Sequence, residues 1–384
     1  MRIYNVNIHP VEQPDIAHGY VAFSDGKITE VGTVAAGFVP APEDIDGDGM
    51  DLYPGLVDAH THLGMWEDGL GFEGDDGNED TDPCTPQLRA IDAVNPMDDC
   101  FAEVAAAGVT TVITGPGSAN AIGGQLMAIK TVGKRIDDMV IDPFCAMKFA
   151  LGENPKTVYH GKNQAPVTRM ATAALIREQL QKAKRYADDL ALSEADEERD
   201  KPEYDAKCEA LLPVVRGQKP AHFHAHRADD IFTAVRIAQE FSLRYVIVHG
   251  TAGGQIAEEL AALQAPVLCG PVLCDRSKPE LKQLSPKTAG ILASAGVATA
   301  IITDHPVIPA QYLPLCAALC VREGMDRASA LRAITLTPAQ ICGIDHRVGS
   351  IMPGKDADFL LLRGDLFDVM NKPQMVFVNG RRIL

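Results

Sequence analysis

The segment "YPGLVDAHTHLGMWEDG", Tyr53 to Gly69, carries two histidines, His60 and His62, at the end of a short apolar run. An apolar run of this length that is followed by glycine is typical of a buried β-strand ending at that point. Side chains two residues apart on a strand point to the same face. His60 and His62 are therefore expected to project from one face, together with Asp58.

Two imidazoles on one strand face can bind a metal ion at about 2.0–2.1 Å each. The alternative interpretation is a pair of partly buried histidines that hydrogen bond to the backbone or to water. An isolated H-x-H pair fits both interpretations, so the rest of the chain has to distinguish them.

The overall composition restricts the partners of this 384-residue chain. Its formal net charge of −17 argues against nucleic acid or an anionic membrane, because both carry dense negative charge. No apolar run reaches the roughly 18 residues of a membrane span, and the N-terminus is too polar for a secretory signal. Nine cysteines without a C-x-x-C pair suggest reduced thiols. We therefore expect a cytoplasmic protein with a small-molecule substrate; the oligomeric state stays open, a homo-oligomer included.

Short apolar runs alternate with helical patterns through the middle of the chain, which indicates a parallel sheet with helical connections. Eight such runs over residues 54–345 predict a closed (β/α)8 barrel, and a typical barrel needs about 250 residues. Helices are expected near residues 168–191, 231–241, 255–263 and 309–323. The candidate strands are "GLVDAHTH", "VTTVITG", "LMAIKTVG", "FCAMKFAL", "AHFHAH", "RYVIVHG", "PVLCG" and "VATAIITDH".

Other segments lie outside the barrel pattern. Residues 1–53 and 346–384 contain short candidate strands separated by turn residues. The stretches Glu67–Asp82 and Asp188–Asp205 are acid-rich, and a solvated surface is the interpretation that we favour for both. The first of them directly follows a strand end, where barrel enzymes carry active-site loops.

The positions of the histidines favour the metal interpretation. Seven of the 11 histidines fall at the ends of only four candidate strands, and one of these strands also ends in an aspartate. Imidazole and carboxylate ligands suit zinc and similar divalent ions. The residues are His60, His62, His222, His224, His226, His249, His305 and Asp304.

With these motifs the sequence resembles the metal-dependent amidohydrolase superfamily, in particular its imidazolonepropionase-related and prolidase-like branch. The motifs are "PGLVDAHTHLG", "HAHRADD", "VHG", "TDHPVIP" and the tail "TLTPAQICGIDHRVGSIMPGKDADFLLLRGD", so the resemblance spans nearly the whole chain. It implies a metal-bearing (β/α)8 barrel, residues 54–345. It also implies a small β-sandwich that is formed by both chain ends, residues 1–53 and 346–384.

The resemblance also implies a ligand set for one or two divalent ions, with zinc expected. His60 and His62 would bind the more buried ion, and His224 and His249 would contribute the ligands from strands five and six. Asp304 would contact metal and transfer the proton. His226, Arg227 and His305 are candidates for substrate contact, while packing is the expected role of His222.

The ligand from strand four is open. Two-metal relatives often carry a carboxylated lysine there, and others a glutamate; this chain offers Lys148 within the strand and Glu153 just after it. An unmodified lysine would repel a dication, so Lys148 fits only if carboxylated or if it points elsewhere. A lysine that extends to the surface is the alternative. A single-metal site is also compatible with the sequence.

The expected reaction is hydrolysis of a C–N amide bond, linear or cyclic, by a metal-activated hydroxide with Asp304 as proton shuttle. The alternative is hydrolytic deamination of a heterocycle, which in single-metal enzymes generally needs no ligand from strand four. A non-catalytic relative is disfavoured because the ligand set is complete. The segment Gly115–Gly124 lacks a phosphate-loop pattern and is expected to shape the pocket. Arg227, Lys156 and Arg169 are candidates for binding a substrate carboxylate, or are ordinary loop cations.

Overall fold

The computed structural model describes residues 1–69, 71–196 and 198–384. Leu70 and Glu197, one in each acid-rich stretch, lie outside the described residues. The strands are β1 Arg2–Ile8, β2 Ile16–Ser24, β3 Lys27–Thr33, β4 Ile45–Asp46, β5 Asp51–Pro54, β6 Leu56–Thr61, β7 Val109–Thr114, β8 Ile122–Lys130, β9 Val140–Ala150, β10 Ala221–Ala225, β11 Tyr245–His249, β12 Val267–Cys269, β13 Thr299–Ile301, β14 Phe359–Leu362, β15 Met375–Val378 and β16 Arg381–Arg382.

The helices lie mostly between the strands of the second half of the chain. Helices occur at or close to all four segments where the sequence predicts them. Their bounds are α1 Cys100–Ala106, α2 Ile136–Met139, α3 Glu153–Gly161, α4 Arg169–Ala195, α5 Ala206–Val215, α6 Ala228–Glu240, α7 Ala257–Ala262, α8 Lys287–Ser294, α9 Leu313–Arg322, α10 Arg327–Ala333 and α11 Leu336–Ile341. Among the helices that the structure describes, none is long and apolar enough to cross a membrane.

The barrel-like sheet contains all eight predicted strands in chain order, from β6 to β13. The first strand of this sheet, β6, contacts the segment that follows the last strand, β13. The amide of Asp304 donates to the carbonyl of His60, and the amide of His62 donates to the carbonyl of His305. The end of β6 therefore lies directly against the segment that follows β13.

One feature of the predicted barrel is wrong, because β8 runs antiparallel to both of its neighbours. A parallel pair needs a crossover of about a dozen residues or more, usually with a helix. Only residues 115–121 connect β7 to β8, and no helix lies between them. The remaining neighbours in the sheet pair in parallel, as expected for a (β/α) arrangement.

The second sheet joins both chain ends, as expected, in the order β16-β15-β14-β5-β1-β2-β3 with β4 paired to β1. Its apolar residues, among them Phe23, Phe359 and Phe377, form a separate core. Lys130, buried at the end of β8, links the two sheets by forming ion pairs with Asp356 and Asp358. The division at residues 53 and 345 stays a prediction.

Candidate metal centre

The first donor cluster combines the end of β6 with the segment after β13. His60, His62 and Asp304 each offer a ligand atom, and these atoms lie within 4.8 Å of one another. Asp304 Oδ1 is 3.5 Å from His60 Nε2 and 3.4 Å from His62 Nε2. His60 and His62 therefore project from the same face of β6, as the sequence predicts, and both imidazoles point to one carboxylate.

The hydrogen bond of His62 to the backbone indicates that this cluster fits a cation. His62 Nδ1 donates to the carbonyl oxygen of Gly115 at 2.7 Å, and a carbonyl can only accept. In the neutral ring, Nε2 therefore presents a lone pair to Asp304 Oδ1, which is also an acceptor. A cation between the two acceptors removes their repulsion, so the donor set suits a bound metal ion.

The second cluster consists of His224, His226 and His249, whose ligand atoms also lie within 4.8 Å of one another. His249 Nδ1 donates to the carbonyl oxygen of Gly270 at 2.7 Å, which leaves its Nε2 lone pair available. His224 Nδ1 hydrogen bonds to Ser118 Oγ at 2.9 Å, and its Nε2 has no hydrogen-bond partner among the described residues. The cluster includes His226, for which the sequence predicts contact with substrate rather than with metal.

Burial keeps four of the imidazoles in the neutral form that binds metal, one in the first cluster and all three in the second. Loss of hydration holds the pKa of His60, His224 and His249 well below the ordinary value. It also lowers the pKa of His226 to about 4, although the nearby Glu280 opposes this shift. At neutral pH these rings are therefore neutral ligands.

The backbone at two of the site residues is strained. Asp304 has φ +58° and His249 has φ +74°, in the left-handed region that residues other than glycine rarely adopt. Such conformations cost of the order of 1–3 kcal/mol each and are concentrated at functional sites. In both cases the strain occurs where a barrel strand has just ended and a donor side chain is presented.

Lys148 lies inside the site and not at the surface. It is fully buried, and its Nζ is 3.0 Å from His60 Nε2. Burial lowers the Lys148 pKa from 10.5 to about 7, although Asp304 opposes the shift. The alternative of a lysine that extends to solvent is therefore wrong, whereas Glu153 is partly exposed at the start of α3.

His222 is fully buried next to this group. It faces Lys148 across the β9–β10 pair, and burial lowers its pKa to about 3. Neither ring nitrogen of His222 has a hydrogen-bond partner within the described part of the chain. Its position in the strand core agrees with the packing role expected from the sequence.

A cavity of about 740 Å³ opens beside both clusters and is large enough for a small substrate. Its lining includes His62, His224, His226, Glu153 and Asp304. The β7–β8 loop contributes too, as the sequence predicts for the glycine-rich segment. The residues of this loop that line the cavity are Gly117, Ser118 and Ala119.

Two predicted substrate contacts do not reach this cavity in the described residues. Arg227 is half exposed and its guanidinium binds Asp229. His305 is buried, and its Nδ1 accepts a hydrogen bond from the amide of Ala310 at 3.3 Å. Lys156 and Arg169 lie with Arg227 around a second, smaller cavity, where Arg169 is paired with Asp230.

Sequence reasoning missed several residues around the clusters. Glu280 and Lys278 come from the loop after β12, and Trp66 packs edge-on against His62 with ring centroids 4.7 Å apart. Strand periodicity does not predict these residues, because they lie on loops and the conformation of each loop determines where its side chains point. The signal that the sequence did offer was the uniqueness of Trp66, the single tryptophan of the chain.

A barrel-like sheet whose strand ends bring imidazoles and a carboxylate together defines a protein of the metal-binding type. Comparison with known proteins agrees with this class, since the amidohydrolase family matches residues 52–383. The chain belongs to the amidohydrolase family. Members of this family typically bind a divalent metal, and the two clusters can hold one.

The curated relatives differ in the share of this chain that they match. The amidohydrolase tasK of Hapsidospora irregularis is 31% identical over 94% of this chain, which corresponds to 39% of that protein. An imidazolonepropionase of Geobacillus kaustophilus is 39% identical over 23% of the chain and 20% of its own length. The chain thus spans well under half of these curated relatives.

Solved structures extend the comparison to the whole chain. An amidohydrolase from Thermotoga maritima MSB8 is 40% identical, with a TM-score of 0.96 and coverage of 100% of this chain and 99% of that one. A zinc-bound adenosine deaminase from Xanthomonas campestris is 18% identical, with a TM-score of 0.54 and coverage of 100% and 92%. The second likeness concerns the fold alone.

Proposed function

We propose that this chain hydrolyses an amide C–N bond, linear or cyclic, in a small substrate that binds in the cavity beside the two histidine clusters. The observation that carries the proposal is the pair of facing acceptors, His62 Nε2 and Asp304 Oδ1, at 3.4 Å. Imidazoles and carboxylates are donors that zinc prefers, so one or two zinc ions are the proposed cofactors. We place the enzyme in the cytoplasm.

His60, His62 and Asp304 would hold one ion, and His224 and His249 would hold the other. A bound divalent ion supplies a more acidic water and polarises the substrate carbonyl. Asp304 borders the cavity with its carboxylate, which is positioned to take a proton from the water and to return it to the leaving nitrogen. The buried histidines exclude bulk water from this face of the cavity.

Lys148 supports two ions over one. A lysine with a pKa of about 7 is largely unprotonated just above neutral pH, and only the neutral amine can combine with carbon dioxide to form a carbamate. That carbamate would place a negative charge next to His60 and bridge the ions. Glu153, which lines the cavity from α3, is the alternative strand-four ligand.

The position of Lys148 also favours amide hydrolysis over deamination, because single-metal deaminases generally lack a ligand from this strand. His226 is the proposed substrate contact on the cavity wall if it does not bind metal. Arg227 and His305 are less suitable for this role, since their described contacts are with Asp229 and with the backbone of Ala310.

A substrate screen tests the proposal. Zinc-loaded protein is incubated with N-acyl amino acids, dipeptides and cyclic ureides, and separately with amino-substituted heterocycles. Release of an amine or a carboxylate from the first group is expected, with the Asp304→Asn variant as the inactive control. Release of ammonia from heterocycles alone would instead establish the deaminase, and turnover by metal-free protein would refute the metal-dependent mechanism.

A further inference from the structure

Glu280 is a buried glutamate at the edge of the second histidine cluster. It lies in the loop after β12, and its side chain is 1% exposed. Its Oε2 accepts a hydrogen bond from the amide of Glu153 at 2.9 Å. Its Oε1 has no hydrogen-bond partner in the residues that the structure describes, and it lies 3.9 Å from His224 Nε2 and 3.8 Å from His226 Nε2.

A buried carboxylate oxygen without a partner is costly, because it has lost its hydration without compensation. The nearest cation in the described residues does not remove this cost. Lys278 Nζ is 3.9 Å from Glu280 Oε1, and it donates instead to Asn154 Oδ1 at 2.6 Å. The unpartnered oxygen points to the same space as the unpartnered His224 Nε2.

We propose that Glu280 and His226 bind the divalent ion held by His224 and His249. The inference rests on the proposed metal-dependent function and gives its second metal position a donor set of three imidazoles and one carboxylate. Four protein ligands of these types satisfy a tetrahedral zinc ion. The second ion would then be held without a carboxylated Lys148.

The surroundings of Glu280 hold its carboxylate in a fixed orientation. A Cβ on Gly152 would lie 2.9 Å from Glu280 Oε2, and the glycine has φ +84°, so this turn after β9 is shaped to admit the carboxylate. The Glu153 amide that binds Oε2 belongs to the same turn. Metal-binding carboxylates are commonly oriented in this way, by a hydrogen bond to the oxygen that does not bind metal.

A purely structural role for Glu280 makes a different prediction. In that case His226 Nε2–H would donate to Glu280 Oε1, and Thr251 Oγ1, 2.7 Å from His226 Nδ1, would donate to the ring. The distance of 3.8 Å between His226 Nε2 and Glu280 Oε1 is too long for such a bond. Measuring the affinity for a metal ion distinguishes a structural role of Glu280 from a ligand role, because only the loss of a ligand lowers that affinity directly.

The experiment is a cobalt titration of the metal-free full-length protein. Bound Co²⁺ is measured by equilibrium dialysis with elemental analysis, and Trp66 fluorescence reports the ion next to His62, because the two rings lie 4.7 Å apart. In Glu280→Gln we expect the Kd of one ion to rise by about 100-fold or more, beyond the 10–100-fold loss typical for an outer partner of a ligand. The quenching of Trp66 should be retained.

Asp230→Asn is the matched control, because Asp230 is also buried beside Gly152 but its carboxylate is bound by Arg169. Its cobalt affinity should change by less than about 10-fold, below the effect of removing a ligand. Circular dichroism of the metal-free variants checks folding. If Glu280→Gln does not fold, Glu280→Asp replaces it, with a loss of affinity expected because the carboxylate is withdrawn by one methylene group.

The outcomes separate this inference from the proposed function. A wild-type protein that binds no cobalt would contradict the metal-dependent function itself. Wild-type binding that the Glu280 variants leave unchanged, or that Asp230→Asn weakens to the same extent, would overturn only the ligand role of Glu280. Selective loss in the Glu280 variants supports it, whether wild type binds one ion or two.

Discussion

Replacing Lys148 with methionine tests the electrostatics of the site in the metal-free protein. Burial lowers the Lys148 pKa from 10.5 to about 7, whereas the unfolded chain keeps the ordinary value. Between these two pH values the unfolded state binds more protons than the folded state. The contribution of Lys148 to folding stability therefore rises with pH across this window and is lost as the pH falls towards 7.

The size of the effect follows from the shift of 3.5 pH units between 10.5 and about 7. At about 1.36 kcal/mol per unit, the charged lysine costs the folded state roughly 5 kcal/mol at low pH. Between pH 7 and pH 9 the cost falls by about 2 kcal/mol, since the buried amine is already half neutral at pH 7. For 384 residues this corresponds to a change in Tm of about 3 °C.

The assay is calorimetry of wild type and Lys148→Met at pH 7 and pH 9, with chelator and without carbon dioxide. Other titrating groups are common to both proteins, so they cancel in the difference between the two pH responses. We expect methionine to raise the Tm more at pH 7 than at pH 9. If both proteins respond equally to pH, then Lys148 is not a neutral buried amine, and its proposed carboxylation loses its physical basis.

Two further substitutions probe catalysis and the link between the sheets. Asp304→Asn keeps the side-chain shape but removes the base, so turnover on a confirmed substrate should fall by about 10²–10⁴-fold while elemental analysis finds little metal lost. Near-normal turnover would assign the proton transfer elsewhere, with His226, which lines the cavity, as the next candidate. Lys130→Met leaves Asp358 buried without its cation, whereas Asp356 keeps its ion pairs with Lys27 and Arg347, and calorimetry should show a destabilisation of about 3–5 kcal/mol. An unchanged Tm would mean that this ion pair does not stabilise the junction of the two sheets.

The positions of His60 and His62 could be predicted because strand geometry determines them. A strand has a side-chain period of two, so both imidazoles project from one face. Asp304 lies three residues beyond β13, and its contacts with these imidazoles depend on the packing of that segment against the end of β6. The burial of Lys148 follows from its position in β9, which pairs with β10 next to His222.

Features that depend on loops could not be predicted in this way. The direction of β8 depends on the connection over residues 115–121. This connection is shorter than the crossover that a parallel pair needs, so β8 pairs antiparallel with β7. Glu280 reaches His224 and His226 from a long loop after β12, and no spacing rule relates these positions. Arg227 follows β10 directly, but its neighbour Asp229 binds the guanidinium.

The two clusters share a design that couples folding to metal binding. In the first cluster the Gly115 carbonyl holds His62 Nδ1 and Asp304 stands opposite Nε2 of the same ring; in the second cluster Ser118 contacts His224 Nδ1 and Glu280 stands opposite His224 Nε2. Without a cation, acceptors therefore face one another in a buried site, and the strained backbone at His249 and Asp304 adds to the cost. An ion that binds only the folded state removes this repulsion and stabilises the fold by mass action. The surrounding barrel must then supply enough stability to hold the donors in place before the ion arrives, which is the preorganisation that catalysis at such a site requires.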